Sequence, residues 1–238
     1  MIEIDNLTVS FGGVTALKSV SVSLDAPVVG IIGPNGAGKT TFLNVLSGFV
    51  RPQAGRIIAF GQDLTGLLPH QRARWGLRRS FQKEQAVDEL TVEDNVRVVL
   101  DALALSRSEA ERSLRQALEF TGIAALRQQP VATLNAFERR MTELARCVAG
   151  RPKLILLDEP GAGFSQVEVA RLRGVIDGIA GMFGARTFLI DHDVDLIQAT
   201  CQHTMVLDFG SLVTYGETAS VLADDRVRAV YLGTEQVE

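Results

Sequence analysis

The sequence predicts an α/β fold, and three observations support this class. Short, continuously apolar segments occur at Val28–Ile32, Leu154–Leu157 and Thr187–Ile190, as is typical of parallel strands buried on both faces. Helical patterns follow these segments. The chain has 238 residues, 46% hydrophobic and 22% charged, which fits one globular domain with a substantial core.

Two segments near the beginning of the chain largely alternate apolar and polar residues instead. They cover Ile2–Val9 and Val20–Leu24, and their alternation predicts half-buried antiparallel strands that form an edge β subdomain. The end of the chain returns to short strands at Thr204–Leu207 and Leu212–Tyr215, followed by two short helices.

The middle of the chain, from about Thr91 to Gly150, has helical patterns and no convincing strand. The patterns cover Thr91–Leu105, Ser108–Thr121 and Ala136–Ala149. In the last pattern one helical face carries apolar residues at i, i+3, i+4 and i+7, namely Met141, Leu144, Ala145 and Val148. We therefore expect a helical subdomain at about residues 84–150, inserted in a core made of about residues 1–83 and 151–238.

A glycine-rich segment lies directly after the first buried strand and before a helical pattern. It reads Gly33-Pro34-Asn35-Gly36-Ala37-Gly38-Lys39-Thr40-Thr41 and matches the phosphate-binding pattern GxxxxGK[ST]. The glycines let the backbone wrap around phosphate oxygens, Lys39 reaches the β and γ phosphates, and Thr40 can bind magnesium. A plain glycine-rich turn would not need Lys39 and Thr40 at this spacing. The segment predicts a site for ATP and Mg²⁺.

Two carboxylates follow the second buried strand, in the segment Leu154–Pro160. In a site for ATP, Asp158 would hold magnesium, directly or through water, and Glu159 would polarise the attacking water as general base. An Asp-Glu-Pro turn is also common on protein surfaces. Its combination with the phosphate-binding loop favours the functional interpretation.

These segments, together with Gln82 and His192, resemble the ABC-type ATPase family over essentially the whole chain. The resemblance implies a P-loop NTPase fold with a RecA-like core. It also implies that Gln82 senses the γ-phosphate and the metal and links them to a membrane partner, and that His192 contacts the γ-phosphate. Taken alone, Gln82 is a polar loop residue and His192 a hydrogen-bonded histidine. Phe11 lies where the family stacks an aromatic ring on adenine, but it could equally be a core residue.

A closer resemblance points to the ATP-binding subunits of branched-chain amino acid importers. It rests on Phe11–Leu17, Ser47–Phe49, Arg79–Gln82 and Ala229–Gly233. It implies import of branched-chain amino acids or a related small polar solute, with permease subunits, a second ATPase subunit and, indirectly, an extracytoplasmic solute-binding protein. We expect Gln82 and the following segment, about Lys83 to Val96, to receive a short helix of the permease.

The family signature, LSGGQ or LSYGQ, closes over the ATP of the partner subunit, and in this chain it is degenerate. The aligned residues are Leu134-Asn135-Ala136-Phe137-Glu138. Phe137 replaces a glycine, and its benzyl group should obstruct the approach to phosphate or force a turn that only glycine makes easily. Ser165 stands where the family has Asp or Asn for communication across the dimer. The departures are either tolerated variants or marks of an asymmetric heterodimer, and steric exclusion favours the heterodimer.

Composition and charge narrow the remaining classes. The first residues lack the pattern of a signal peptide, and no run of about 18 apolar residues occurs. We therefore expect a peripheral protein at the cytoplasmic face of the membrane, bound through permease subunits. The net charge of −4 gives no footprint for nucleic acid.

The arginine cluster and the two cysteines do not indicate a further binding site. The clustered Arg72, Arg74, Arg78 and Arg79 are interpreted as a solvated face or a protein contact. Cys147 and Cys201 match no zinc spacing. The alternative functions are a non-transport ABC ATPase that acts on nucleic acid or ribosomes, and a regulatory nucleotide-binding module without hydrolysis.

Overall fold

The computed structural model describes residues 1–232, so Gly233, which contributes to the subfamily resemblance, lies outside the described residues. The chain divides into two compact units. The first unit comprises Met1–Arg72 and Phe188–Glu238, and the second unit comprises Ala73–Thr187. The second unit thus extends beyond the expected helical insertion, residues 84–150, on both sides.

Strands and helices are interspersed along the chain. The strands are β1 (Ile2–Phe11), β2 (Val14–Leu24), β3 (Val28–Ile32), β4 (Ala54–Ala59), β5 (Gln62–Asp63), β6 (Leu77–Arg79), β7 (Leu154–Asp158), β8 (Arg186–Ile190), β9 (His203–Asp208) and β10 (Ser211–Glu217). The α-helices are α1 (Lys39–Ser47), α2 (Pro69–Trp75), α3 (Val92–Asp101), α4 (Arg107–Phe120), α5 (Ala136–Val148), α6 (Gln166–Phe183), α7 (Val194–Thr200), α8 (Thr218–Ala223) and α9 (Asp225–Val227). Single 3₁₀ turns cover Ala124–Leu126 and Val131–Thr133, and a π-helical turn covers Arg228–Leu232.

An antiparallel sheet in the first unit has the strand order β2-β1-β4-β5. Ile4 pairs with Val22 on one side and Ile57 on the other. The alternation predicted for β1 is interrupted at Asn6, which has a positive φ of 47° beside a shift in register. The shift lets Leu7 and Val9 continue the buried face that Ile2 and Ile4 begin.

The strand β3 lies in the core of the first unit. All five of its residues are buried, and it pairs in parallel with β9, which pairs antiparallel with β10. Burial on both faces explains the unbroken apolar sequence of β3. The phosphate-binding loop begins where β3 ends.

In the second unit, the strands β6 and β7 pair in parallel. The helices α4, α5 and α6 each begin with a capping box, formed by Ser106 with Glu109, Asn135 with Glu138 and Ser165 with Glu168. The buried face of α5 includes Met141, Leu144 and Val148, as predicted. Parallel buried strands, an antiparallel sheet and helical parts confirm the α/β class. Among the residues described, no helix is both long and apolar enough to cross a membrane.

Candidate nucleotide-binding and catalytic site

The loop between β3 and α1 is built so that only glycine fits at two of its positions. Gly33 has φ of 149°, and a Cβ atom there would lie 2.1 Å from the carbonyl oxygen of Leu207. Gly38 has φ of 102°, and its Cβ would lie 2.6 Å from the carbonyl oxygen of Ala16. These contacts hold the loop against the body of the first unit, while Asn35 and Gly36 stay exposed. The loop therefore offers its backbone to a ligand.

Lys39 is the first residue of α1 and is folded back across the loop. Its side chain is buried, and Nζ donates to the carbonyl oxygens of Gly33 at 2.6 Å and Pro34 at 3.0 Å. Thr40 follows it and is exposed in the first turn of α1. An ammonium, the hydroxyl of Thr40 and the N-terminal end of a helix thus lie together at one loop, which is the chemistry that a polyphosphate requires.

A buried arginine supports the other end of α1, and the sequence interpretation missed it. Arg72 is 1% exposed. It donates from Nη1 to the carbonyl oxygens of Val45 at 2.5 Å and Leu46 at 2.7 Å, and it also donates to Thr65 and Leu67. Burial lowers the pKa of Arg72, and the charge of Asp63 opposes this shift. Its positive charge lies at the negative end of the helix that carries Lys39.

The interpretation of the arginine cluster as a solvated face or a protein contact is therefore wrong for three of its four members. Arg72 and Arg78 are buried, and the Arg79 side chain is only 5% exposed. Only Arg74 is exposed. Arg78 donates to the carbonyl oxygens of Ala73 and Leu77. The physical reason is that backbone carbonyl groups accept the guanidinium N–H groups of Arg72 and Arg78, and the Asp158 carboxylate accepts from Arg79, which offsets the cost of burial.

The second unit presents the two predicted carboxylates. Asp158 ends β7, is 5% exposed and forms an ion pair of 3.2 Å with Nη2 of Arg79. The backbone N–H of Asp158 donates to Oγ of Ser80. Burial lowers the pKa of Arg79, and the charge of Asp158 opposes this shift. Arg79 is a site residue that sequence reasoning missed, although its place two residues before Phe81 in the Gln82 motif is visible in the sequence.

Glu159 and Gln82 meet directly in the second unit. Nε2 of Gln82 donates to Oε2 of Glu159 at 2.8 Å. The backbone of Glu159 has φ of 50°, a left-handed conformation that is uncommon for a residue with a side chain. The structure thus brings the predicted sensor and the predicted general base into contact, with the base on a strained turn.

Phe11 and His192 lie in the first unit. Phe11 ends β1 and is 51% exposed, so the alternative that it is a core residue is wrong. An exposed aromatic ring fits a stacking platform for a base. His192 is exposed. It follows Asp191, which is buried, and precedes Asp193, which is exposed and caps α7. The backbone N–H of Asp193 donates to Oδ1 of Asp191, which fixes the turn that carries His192.

The signature segment differs from the expectation at Phe137. Asn135 caps α5 by accepting from the N–H of Glu138, and Asn135 and Ala136 are exposed. Phe137 is the second residue of α5 and is only 5% exposed. It has no positive φ, so no turn reserved for glycine is forced. The Phe137 ring, which was expected to obstruct the approach to phosphate, packs inside its own subunit.

A sequence signal for this burial existed. Phe137 precedes Met141 by four residues, so it continues by one turn the apolar face that includes Leu144 and Val148. Leu134, just before the cap, is buried as well. Ser165 has a structural role that the sequence interpretation did not give it. It is the N-cap of α6, and its Oγ accepts from the N–H of Glu168.

Comparison with known proteins places the chain in a family. The family model described as ABC transporter matches residues 17–162. A lipopolysaccharide export system ATP-binding protein of Acidithiobacillus ferridurans, LptB, is 35% identical over 99% of this chain and 98% of its own length. A high-affinity branched-chain amino acid transport ATP-binding protein of Pseudomonas aeruginosa, BraF, is 32% identical over 98% of each chain.

A solved structure gives the same result for the fold. The crystal structure of an ATP-binding cassette of an ABC transporter in its ADP conformation matches with a TM-score of 0.86 and 28% identity, over 98% of each chain. The loop with Lys39, the pair of Gln82 and Glu159, and these matches together identify the chain as a member of the ABC transporter family, an ATP-binding and ATP-hydrolysing subunit.

Proposed function

We propose that this subunit hydrolyses Mg-ATP in a dimer to drive a membrane permease that imports branched-chain amino acids or a related small polar solute. The observation that carries the hydrolytic part is the hydrogen bond from Gln82 to Glu159. Through this bond Gln82 orients the carboxylate of Glu159, which would polarise an attacking water. This arrangement speaks against the alternative of a regulatory module without hydrolysis.

Magnesium would be held by oxygen ligands from this chain. The hydroxyl of Thr40, the carboxylate of Asp158 and the side-chain oxygen of Gln82 are hard donors of the kind that Mg²⁺ prefers. The buried carboxylate of Asp158 forms an ion pair with Arg79, so a positive charge already lies beside it. When bound, the metal would neutralise charge on the phosphates. Lys39 binds the β and γ phosphates, His192 contacts the γ-phosphate, and Phe11 stacks on adenine.

The contact with the permease is assigned to Gln82 and the segment Lys83 to Val96. The contacts of α5 support this assignment. The N–H of Gln85 donates to Oε1 of buried Glu143 at 2.6 Å, and Arg140 donates to Oε2 of Glu143 and to the carbonyl oxygen of Phe81. Burial raises the pKa of Glu143. A displacement of this segment would therefore act on α5 through Glu143, and Arg140 of α5 contacts Phe81, the neighbour of Gln82. The protein would lie at the cytoplasmic face of the membrane, bound through the permease.

The import of amino acids competes with a second candidate, the export of lipopolysaccharide. BraF supports the first, and the similar identity of LptB supports the second. The Phe11–Leu17, Ser47–Phe49 and Arg79–Gln82 segments favour the importer. The test is to express the chain with the permeases encoded beside its gene and to reconstitute them in vesicles. ATP-dependent uptake of a branched-chain amino acid with its solute-binding protein is expected. ATPase activity stimulated by lipopolysaccharide, with no uptake, would favour the exporter.

The dimer partner is proposed to be a second, different ABC ATPase subunit. With the ring of Phe137 directed inward, support for a heterodimer comes from the exposed pair Asn135 and Ala136, which replace the serine and first glycine of the signature. A Cβ atom on Ala136 still narrows the approach to backbone N–H groups. The isolated chain should hydrolyse ATP slowly. A homodimer that turns over at about 1 per second or faster, within the ordinary enzyme range, would contradict this proposal.

A further inference from the structure

The ring of Phe137 contacts two side chains, Phe164 just before the cap of α6 and Arg171 in α6. Its centroid is 5.4 Å from that of Phe164, with an interplanar angle of 73°. The guanidinium carbon of Arg171 lies 4.9 Å from the centroid of the Phe137 ring. Edge-to-face packing and a cation over an aromatic face are both attractive arrangements. We refer to Phe137, Phe164 and Arg171 as the clasp.

The clasp joins two segments that both bear on the proposed chemistry. On one side, Phe137 is fixed in the first turn of α5, directly after the exposed Asn135 and Ala136. On the other side, Phe164 ends the short loop that begins at Glu159, and it immediately precedes the cap of α6. Glu159 itself has a left-handed backbone. A strained turn keeps its conformation only if the structure around it restrains it.

A cavity lies beside the ring of Phe137, so few other side chains could replace the contacts of the ring. A cavity of about 260 Å³ borders the ring and is lined by Phe120, Met141, Arg171 and Val175 among others. A glycine at position 137 would extend this cavity and leave Phe164 and Arg171 without the ring that they contact. The surroundings of position 137 in this chain thus fit a phenylalanine ring and would be incompletely packed around a glycine.

We propose that Phe137 is a positioning residue, whose ring ties the beginning of α5 to the loop that carries Glu159. The inference rests on the proposed function, in which α5 begins at the nucleotide of the partner subunit and Glu159 acts on the nucleotide of this one. The clasp makes these two segments move as one body. Replacing Phe137 with the family's glycine is therefore expected to impair the enzyme, the reverse of relieving a steric block.

The test compares variants of the full chain in whichever assembly hydrolyses ATP, alone or with its partner ATPase. Phe137→Gly and Phe164→Leu should each lower kcat by at least about tenfold, because a small misplacement of the base is costly. The Kd for a fluorescent ATP analogue should change by no more than about twofold, since the phosphate-binding loop is not altered. Phe137→Tyr keeps the ring and should keep most of kcat.

The matched control is a second edge-to-face pair, which joins the last residue of α4 to the last residue of α6. Phe120 and Phe183 lie 4.9 Å apart between ring centroids, at an interplanar angle of 88°. Phe183→Leu should lower the Tm by a few degrees, about as much as Phe164→Leu, but it should leave kcat unchanged. Equal losses of kcat in both leucine variants would overturn the proposal, because a general loss of stability would then explain them. A rise in kcat for Phe137→Gly would also overturn it.

Hydrogen exchange tests the clasp separately from catalysis. Phe164→Leu should speed amide exchange in the first turn of α5, and Phe137→Gly should speed exchange in the loop of residues 161–165. Phe183→Leu should change neither. If the wild type does not hydrolyse ATP in any assembly, the proposed function fails, whereas these exchange results still decide the clasp. Exchange confined to the mutated segment would contradict the coupling.

Discussion

Gln82 donates a hydrogen bond of 2.8 Å from Nε2 to Oε2 of Glu159. One hydrogen bond thus joins the segment expected to contact the permease to the carboxylate expected to polarise water. Loss of this bond would remove one of the contacts that orient the Glu159 carboxylate. Under the proposed function, the state of the permease would act on the expected general base through the side chain of Gln82.

Glu159→Gln should abolish turnover and spare ATP binding, because the amide cannot accept a proton from water but keeps the size of the side chain. We expect kcat to fall at least about a hundredfold with an unchanged Kd for ATP. Phosphate release and analogue binding measure the two quantities. Hydrolysis by this variant at the wild-type rate would mean that another residue is the base.

Gln82→Leu should lower kcat less than Glu159→Gln does, since it removes the orienting bond and keeps the carboxylate. The expected loss is about tenfold. Gln62→Leu is the control for a glutamine lost from an exposed position, because Gln62 lies exposed in the short strand β5. An unchanged kcat in Gln82→Leu would show that the bond has no part in positioning.

Lys39→Ala should remove ATP binding nearly completely. The variant loses the ammonium that now spans the carbonyl oxygens of Gly33 and Pro34 and that would transfer to the phosphates. Lys18→Ala, at an exposed position of β2, is the charge-matched control and should bind normally. Isothermal titration with ATP in magnesium buffer measures both. Equal affinities in the two variants would refute the role of Lys39.

Arg72→Met should destabilise the protein by about 2–4 kcal/mol. The substitution keeps the apolar stem but leaves several carbonyl groups without their buried donor, those of Val45 and Leu46 among them. Arg74→Met, at the exposed arginine two residues later, should change the free energy of unfolding by no more than about 0.5 kcal/mol. Urea denaturation compares the two variants, and similar results would remove the case for Arg72.

Glu93 should make stability depend on pH. Hydrogen bonds from Arg127 and Arg97 lower its pKa from 4.5 to about 2. The unfolded chain therefore binds a proton more readily than the folded chain between these values. The contribution of Glu93, about 1–2 kcal/mol after allowance for the exposed arginines, is fully present above pH 4.5 and is lost as the pH falls towards 2.

The measurement is the difference in unfolding free energy between the wild type and Glu93→Gln from pH 7 to pH 3. The difference should shrink over the acidic part of this range. Glu89→Gln, at an exposed carboxylate four residues earlier, is the matched control and should change the unfolding free energy by no more than about 0.5 kcal/mol at pH 7. A constant difference for Glu93→Gln would contradict the assignment.

Local signals in the sequence were enough for much of the fold and of the candidate site. Unbroken apolar segments predicted β3, β7 and β8, because strands buried on both faces need no alternation. The phosphate-binding loop was predicted from glycines and a lysine at fixed spacing. The strands β4 to β6 and the helix α2 were missed. β5 has only two residues and β6 only three, so neither carries a period.

The burial of charged and aromatic residues could be predicted less well. Arg72 is buried because α1 ends beside it, and that contact joins parts of the chain about 26 residues apart. No spacing rule contains it. Phe137 is different, because its period with Met141 was visible. The comparison with the family's glycine suggested a ring near the phosphate, whereas the spacing from Met141 indicated a ring on the buried face of α5.

The left-handed backbone of Glu159 has a consequence for how this chain tolerates change. A residue with a side chain loses about 1–2 kcal/mol in that conformation, whereas glycine adopts it freely. Glu159→Gly should therefore raise the free energy of unfolding while it ends catalysis. Stability and activity are opposed at this position, so a search for thermostable variants that ignores hydrolysis would select against the glutamate.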